Sequence, residues 1–86
     1  MIRKIKAEDK EIYIKMAHDF YRSSAVDHPI PDSCLEKTFE ECMKSDTYAE
    51  LFILEWEGET AGYGLIAKTF SQEAGGMVYW LEELYI

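Results

Sequence analysis

The spacing of apolar residues changes along the chain, and each spacing predicts one kind of element. Residues 2–6 alternate between apolar and basic side chains, which predicts a short first strand. Apolar residues then recur every four positions at Ile12, Met16 and Phe20, which predicts an amphipathic helix over residues 9–22. The first half of the chain therefore begins with a strand and continues into a helix.

Capping residues mark the starts of two helices. Asp9 is placed to act as the N-cap of the first, and Ser33 with Glu36 matches a capping box for a second helix over residues 33–45. Two prolines exclude regular helix from residues 23–32. This segment is predicted to be a stiff loop between the two helices.

Strand patterns fill the remainder of the chain. Alternating apolar residues predict strands over residues 49–57, 60–70 and 77–86, with turns between them that suit hairpins. Sequential strands joined in this way are usually neighbours, so we expect an antiparallel four-stranded sheet whose order follows the chain. With both helices on one face of the sheet, the predicted fold class is α+β with the order β-α-α-β-β-β.

The last predicted strand is apolar on both faces apart from two adjacent carboxylates, Glu82 and Glu83. Strict alternation places Met77, Tyr79, Leu81 and Tyr85 on one face, and Val78, Trp80, Leu84 and Ile86 on the other. Such a strand is typical of the covered middle of a layered fold, yet here it comes last. Because it would expose an unpaired edge and apolar faces, we expect a homodimer in which the final strands of two copies pair antiparallel.

Two glycines, Gly62 and Gly64, fall on the same face of the third predicted strand. Their missing side chains leave room for a ligand against the sheet. The same pattern is equally compatible with a β-bulge or with a closely packed helix. The sequence leaves these alternatives open.

Composition and charge narrow the class of protein. The 86 residues are 48% hydrophobic, which is enough for one small domain, and no run of 18 apolar residues predicts a membrane span. The net charge of −8 repels phosphate backbones and anionic lipids, so no nucleic-acid or membrane partner is expected. We expect a cytoplasmic protein, since no apolar signal segment follows the N-terminus.

The cysteines and histidines predict neither a disulfide nor a metal site. Cys34 and Cys42 lie eight residues apart on one predicted helix, a rise of ~12 Å, which is too far for a disulfide. We expect both to be buried thiols in a reducing compartment. His18 and His28 have no companion ligands at metal spacing.

An ordered set of short segments carries a resemblance to a known family. The segments are the Ile-Arg start of the first strand, the Ala-Val-Asp-His loop, the Gly-Glu-Thr-Ala-Gly-Tyr hairpin and the ending Tyr-Trp-Leu-Glu-Glu-Leu-Tyr-Ile. Together they resemble the N-terminal half of a GCN5-related N-acetyltransferase (GNAT), and the resemblance covers the whole chain. It implies an α/β-type acetyltransferase half-domain that transfers an acetyl group from acetyl-CoA to a small amine, by direct attack of the neutral amine on the thioester.

The resemblance also implies roles for individual residues. Glu82 or Glu83 is the expected contact for the substrate amine, because a carboxylate can bind the ammonium ion and relay its proton through water. In an ideal strand the two point to opposite faces, so at most one faces a cleft unless a bulge intervenes. His28, Asp27 and Tyr21 are the expected acceptor contacts. The alternative is that these are strand-end and loop residues with no role beyond solvation and turn capping.

Aromatic and apolar residues complete the predicted site. Tyr21, Tyr63 and Tyr79 either line its pocket or form ordinary core, and aromatics at this spacing are more often core. Acetyl-CoA is the cofactor that the resemblance implies, with contacts at Leu84 and Ile86.

The chain departs from the family in one respect. In GNAT enzymes an Arg/Gln-x-x-Gly-x-Gly/Ala loop follows this strand and leads into a helix whose N-terminus holds the CoA pyrophosphate. Here Gly75 and Gly76 precede the strand, and no such loop follows it. We therefore interpret residues 1–86 as a single partial domain, the acceptor-side half, which is inactive alone. The alternatives are a non-catalytic dimerisation or interaction module and an inactive truncated fragment.

Overall fold

The computed structural model describes residues 1–22 and 30–86 of the chain. Its elements are β1 (Ile2–Lys4), a 3-10 turn (Ala7–Asp9), α1 (Lys10–Arg22), α2 (Asp32–Lys44), β2 (Ala49–Trp56), β3 (Glu59–Ser71) and β4 (Gly76–Tyr85). The four strands form one antiparallel sheet in the order β1-β2-β3-β4. The predicted α+β class, its element order and its sheet order are confirmed.

Both helices pack on one face of the sheet, which we call the helix side. The core between them consists of Tyr13, Met16 and Ala17 from α1, Leu35 and Phe39 from α2, and Leu51, Ile53, Tyr63 and Leu65 from the sheet. Residues four apart share one stripe of a helix, as Tyr13 and Ala17 do on α1 and Leu35 and Phe39 do on α2. Of the stripe predicted for the first helix only Met16 is in the core, because Ile12 is exposed and Phe20 is half-buried. The opposite face of the sheet, which we call the open face, carries no element among the described residues.

The starts of both helices differ from the prediction. Asp9 ends the 3-10 turn before α1, and its carboxylate accepts a hydrogen bond from the Lys6 backbone N–H at 2.7 Å. The N-cap of α2 is Pro31, which makes no side-chain cap bond, so the capping box predicted at Ser33 is wrong. Proline is tolerated here because the first N–H groups of a helix have no intrahelical partner.

Asp9 belongs to an ion-pair corner formed with Arg3 and Glu55. The Arg3 guanidinium donates to the two Asp9 carboxylate oxygens at 2.8 and 3.0 Å, and its Nε donates to Glu55 at 2.9 Å. Asp9 is buried, and the hydrogen bond from Arg3, reinforced by the Lys6 backbone N–H, keeps its carboxyl pKa below the usual value. This corner joins β1 to β2 and to the turn before α1.

The two glycines of β3 have separate roles. Leu54 pairs with Gly62 and Glu55 with Thr60, so one residue between them is unpaired and forms a β-bulge. A Cβ at Gly62 would lie 2.0 Å from the Tyr85 carbonyl oxygen, so only glycine fits there. Gly64 meets no such neighbour and leaves a hollow on the open face. Of the alternatives that the sequence left open, the bulge is present beside Gly62.

Strand β4 lies at the edge of the sheet, and its two faces differ from the prediction. A second bulge, at Glu82, inverts the alternation, so that Leu81 and Leu84 both line the open face instead of opposite faces. Tyr85 pairs with Tyr63 on the helix side. The large apolar side chains of this strand are at least half exposed: Met77, Tyr79, Trp80, Leu81 and Leu84.

Two smaller findings complete the fold. Cys34 is exposed rather than buried, because it lies on the outer side of the first turn of α2. Cys42 is half-buried, and burial raises the pKa of its thiol to about 11. Among the described residues, neither helix has the length and apolarity needed to cross a bilayer.

Candidate functional site

The bulge in β4 determines which of the two adjacent carboxylates points into the molecule. Leu65 of β3 pairs with Glu83 and Ile66 with Leu81, which leaves Glu82 as the extra residue. Glu83 shares the helix side with Leu65 and is 8% exposed, whereas Glu82 is exposed. A bulge re-aims side chains in this way, so Glu83 is the carboxylate that enters the interior.

Two tyrosines hold the Glu83 carboxylate. The Tyr63 hydroxyl, at the centre of the sheet, donates to Oε1 at 2.7 Å, and the Tyr21 hydroxyl, in the last turn of α1, donates to Oε2. These residues lie far apart in sequence, 62 residues for Tyr21 and 20 for Tyr63. The site therefore exists only when α1 is packed against β3 and β4.

Both phenols remain hydrogen-bond donors across the physiological pH range. Burial raises the pKa of Tyr63 and of Tyr21, and the hydrogen bond that each donates to Glu83 raises it further. The raised values follow because ionising either phenol would place a second negative charge beside the carboxylate. Both phenols therefore stay neutral and continue to donate hydrogen bonds to Glu83.

Glu83 has no cationic partner within residues 1–22 and 30–86. None of the ion pairs of this part of the chain includes it. Buried carboxylates are usually paired with a cation, because an isolated charge is expensive to remove from water. Each carboxylate oxygen can accept more than one hydrogen bond, so the two phenols leave acceptor capacity unused. These are the properties of a group that can receive a cation from outside the chain.

Further aromatic residues surround the two tyrosine contacts. Tyr13 packs edge-on against Tyr63 with ring centroids 5.2 Å apart, and Tyr85 stacks on Tyr63 at 6.0 Å. The Tyr85 hydroxyl donates to Asp19 of α1 at 3.2 Å. We call Tyr13, Tyr21, Tyr63 and Tyr85 the tyrosine cluster.

The residues predicted to line the pocket do not all lie together in the structure. Tyr21 and Tyr63 contact Glu83, but Tyr79 is 64% exposed on the open face, where the Lys68 ammonium lies 5.1 Å from its ring. His28 and Asp27 lie outside the described residues, so their predicted acceptor role stays a prediction. Tyr13, Tyr85 and Asp19 were not predicted as site residues. Tyr13 and Tyr85 have the spacing of ordinary core residues and Asp19 is an exposed helix residue, so no local signal distinguishes them.

The predicted cofactor contacts lie elsewhere on β4. Leu84 is 50% exposed and Ile86 is 83% exposed. Leu84 lines a hollow of about 300 Å³ on the open face, together with Ile2, Phe52, Leu54, Gly64, Ile66 and Leu81. Every residue of this hollow is apolar, so its walls can hold hydrocarbon but offer no side-chain donor to a phosphate group. For metal ions, no grouping of three potential His, Cys, Asp or Glu ligands occurs in the described part of the chain.

Comparison with known proteins supports the fold and leaves the activity open. No protein-family model matches the chain, and no curated protein matches it. Among solved structures, the chain is similar to the integron cassette protein HFX_CASS3 from the mobile metagenome of Cole Harbour Salt Marsh, with a TM-score of 0.84 and 16% identity. The alignment covers 99% of this chain and 55% of that one. The chain therefore has the fold of about half of that protein.

Proposed function

We propose that this chain is the acceptor-side half of a GNAT-type N-acetyltransferase, which transfers an acetyl group from acetyl-CoA to a small amine and is inactive alone. The observation that supports the proposal is Glu83, a buried carboxylate that two phenols hold and that no cation of residues 1–22 and 30–86 neutralises. It lies beside a bulge in the strand for which the family resemblance implies an amine contact. The proposal thus selects Glu83 over Glu82.

The proposed chemistry gives Glu83 two tasks. Its negative charge binds the incoming ammonium ion, and an attacking amine must then lose a proton, which a carboxylate relays through water. The neutral nitrogen would form a bond to the thioester carbonyl carbon, the carbon–sulfur bond would break, and the proton lost by the acylated nitrogen would pass to the CoA thiolate. Tyr21 and Tyr63 are positioning residues, since they fix both oxygens of the carboxylate.

Acetyl-CoA supplies the activated acetyl group in this proposal. The exposed positions of Leu84 and Ile86 suit contact with the apolar part of the cofactor. The wholly apolar hollow beside Leu84 does not suit its pyrophosphate, which needs charged or N–H donors. We therefore expect the 86 residues alone to show neither acetyl transfer nor tight acetyl-CoA binding, and micromolar affinity in calorimetry would contradict this.

The test of the proposal compares two adjacent glutamates in a chain that has been supplied with a CoA-binding half. Glu83→Gln should lower the turnover of an amine acceptor by about 100-fold or more, which is the usual contribution of a general base. Acetyl-CoA binding should change little. Glu82→Gln is the matched control and should leave turnover close to normal, because Glu82 is exposed. Unchanged turnover in Glu83→Gln across the pH range would reject the proposed role.

The proposal includes a homodimer formed through the C-terminal strand, in the cytoplasm, and no nucleic-acid or membrane partner. The edge position of β4 and its exposed apolar side chains support self-association. The same observation favours a second candidate function, a non-catalytic dimerisation or interaction module. Loss of amine turnover in Glu83→Gln would favour the enzyme, whereas dimerisation without turnover in the completed chain would favour the module.

A further inference from the structure

The open face of the sheet is a large apolar surface. Three aromatic side chains on it are each about two-thirds exposed: Trp56 at 71%, Phe70 at 67% and Tyr79 at 64%. Since an aromatic side chain presents roughly 150–250 Å², these three alone leave about 300–500 Å² uncovered. Trp56 lies at one end of the face and Phe70 near the other, so this area is spread along the sheet. Its total matches the largest apolar patch of a typical monomer, which gives the open face the character of an interface.

Aliphatic side chains extend this surface toward the size of a stable interface. Ile2, Met77, Leu81 and Leu84 are each at least half exposed on the same face. The central hollow of about 300 Å³, over Gly64, gives the face a concave feature that side chains of a partner can fill. A standard interface buries about 800 Å² per partner, which an apolar sheet face of this kind can supply.

The charges on the open face indicate what covers it. Register places four charged residues on this face, namely Lys4, Glu50, Glu59 and Lys68. They sum to zero, and Lys68 pairs with Glu50 at 2.7 Å. The chain as a whole carries a net charge of −8. The acidic excess is therefore located elsewhere, so two copies can meet at this face without local like-charge repulsion, whereas a strongly charged partner would find no complement.

We infer that a second copy of this chain covers the open face, with the two sheets packed face to face. The inference keeps the homodimer of the proposed function but replaces pairing of the β4 edges with contact between the two open faces, and it does not rest on acetyl transfer. Pairing of β4 edges alone would join two sheets into one and leave both open faces exposed. Face-to-face packing buries both faces, with the sheets about 10 Å apart, as in other sheet-on-sheet contacts.

Neighbouring residues of β4 provide a matched pair of variants. Leu81 is 63% exposed on the open face, and Trp80 is 58% exposed on the helix side, where it pairs with Ala67. Both side chains are exposed, so lysine at either position should leave the fold intact, and circular dichroism checks this. Phe70→Lys, at an exposed open-face position on β3, is a second interface variant.

Light scattering coupled to size exclusion over a range of concentrations gives the readout. We expect the wild type to reach twice the 10.0 kDa chain mass. Leu81→Lys and Phe70→Lys should each raise the dimer dissociation constant by about 30-fold or more, because each places a charge within the apolar contact. Trp80→Lys should change it by less than about threefold.

Two outcomes would overturn the inference. Equal weakening by Leu81→Lys and Trp80→Lys would indicate a homodimer paired through the β4 edges, so that the face contact is wrong while the homodimer stands. A wild type that stays monomeric at every concentration would reject self-association and leave the open face to a different partner. Neither readout involves turnover, so failure here is separate from failure of the acetyltransferase proposal.

Discussion

Two buried carboxylates in this molecule have opposite surroundings. Asp9, in the ion-pair corner, is 5% exposed and receives the Arg3 guanidinium at 2.8 and 3.0 Å together with the Lys6 backbone N–H. Glu83, in the tyrosine cluster, is 8% exposed and, among the described residues, receives only the phenols of Tyr21 and Tyr63. One carboxylate has its counter-charge within the chain, and the other has neutral donors.

Under the proposed function, this difference separates a structural role from a ligand-binding one. The charge of Asp9 is neutralised, so it holds β1, the turn before α1 and, through Arg3, β2 in place. Glu83 is fixed in position by hydrogen bonds, but its charge is not neutralised by any described residue. A buried charge without a partner is costly to keep out of water, so such a group is a candidate for binding a ligand of opposite charge. Under the proposed function, the missing partner of Glu83 is a cationic ligand.

The largest effect on stability should come from Asp9→Asn. An asparagine amide would direct donor hydrogens at Arg3, which has no acceptor, and would lose charge-assisted hydrogen bonds of roughly 2–3 kcal/mol. Glu83→Gln should lower the free energy of unfolding by only about 1 kcal/mol, because a phenol can rotate and accept from the new amide. Urea denaturation measures both variants. An equal or larger loss in Glu83→Gln would mean that Glu83 is a structural residue like Asp9.

The tyrosine cluster and the ion-pair corner should lose their contributions to stability at opposite ends of the pH scale. Tyr63 has its pKa raised above the ordinary value of 10.0, chiefly by burial, so the unfolded chain loses this proton first and stability falls above pH 10. Asp9 has its pKa lowered from 3.8, chiefly by the Arg3 hydrogen bond, so its contribution is lost as the pH falls below that value.

Tyr63→Phe tests the predicted loss of stability at alkaline pH. The variant should reduce the fall in stability above pH 10 by roughly 1 kcal/mol per pH unit, since one proton fewer is linked to unfolding. Denaturation curves at several alkaline pH values give the slope. Asp9→Asn is the control and should leave the alkaline slope unchanged. A wild type whose stability stays constant from pH 10 to 12 would contradict the raised tyrosine pKa values.

The smallest effect should come from Tyr21→Phe. Tyr21 is half-buried in the last turn of α1, so water can replace its hydroxyl at the Glu83 carboxylate. We expect a loss of about 1 kcal/mol or less in the free energy of unfolding. Thermal denaturation followed by circular dichroism is sufficient to measure it. A loss comparable to that of Asp9→Asn would place Tyr21 among the essential supports of the fold.

Most of the fold could be predicted because its signals are periodic and local. The strand predicted over 60–70 is Glu59–Ser71, and the helix predicted over 33–45 is Asp32–Lys44. Hairpin connections were sufficient to predict the order of the sheet. The first strand is shorter than predicted, ending at Lys4, and the predicted capping box at Ser33 is absent.

The candidate site could be predicted only in part, because its contacts are distant in sequence. The chain indicated the pair Glu82 and Glu83, but strict alternation could not choose between them. One extra residue at the bulge moves every later side chain of β4 to the opposite face of the sheet, and no local sequence pattern marks where the bulge occurs. The contact between Tyr21 and Glu83 spans 62 residues and depends on how α1 packs on the sheet. Tertiary packing, which periodicity does not encode, therefore decides this part of the site.

The central claim is that Glu83 receives a cation, and an amine titration followed by carboxyl-carbon NMR tests it most directly. Propylammonium should produce a saturable shift of the Glu83 signal in the wild-type chain, whereas the neutral isostere propanol should not. The same saturable changes at neighbouring residues should be absent in Glu83→Gln and retained in Glu82→Gln. A wild-type chain that does not respond to the amine, or a Glu83→Gln variant that binds it equally well, would contradict the account.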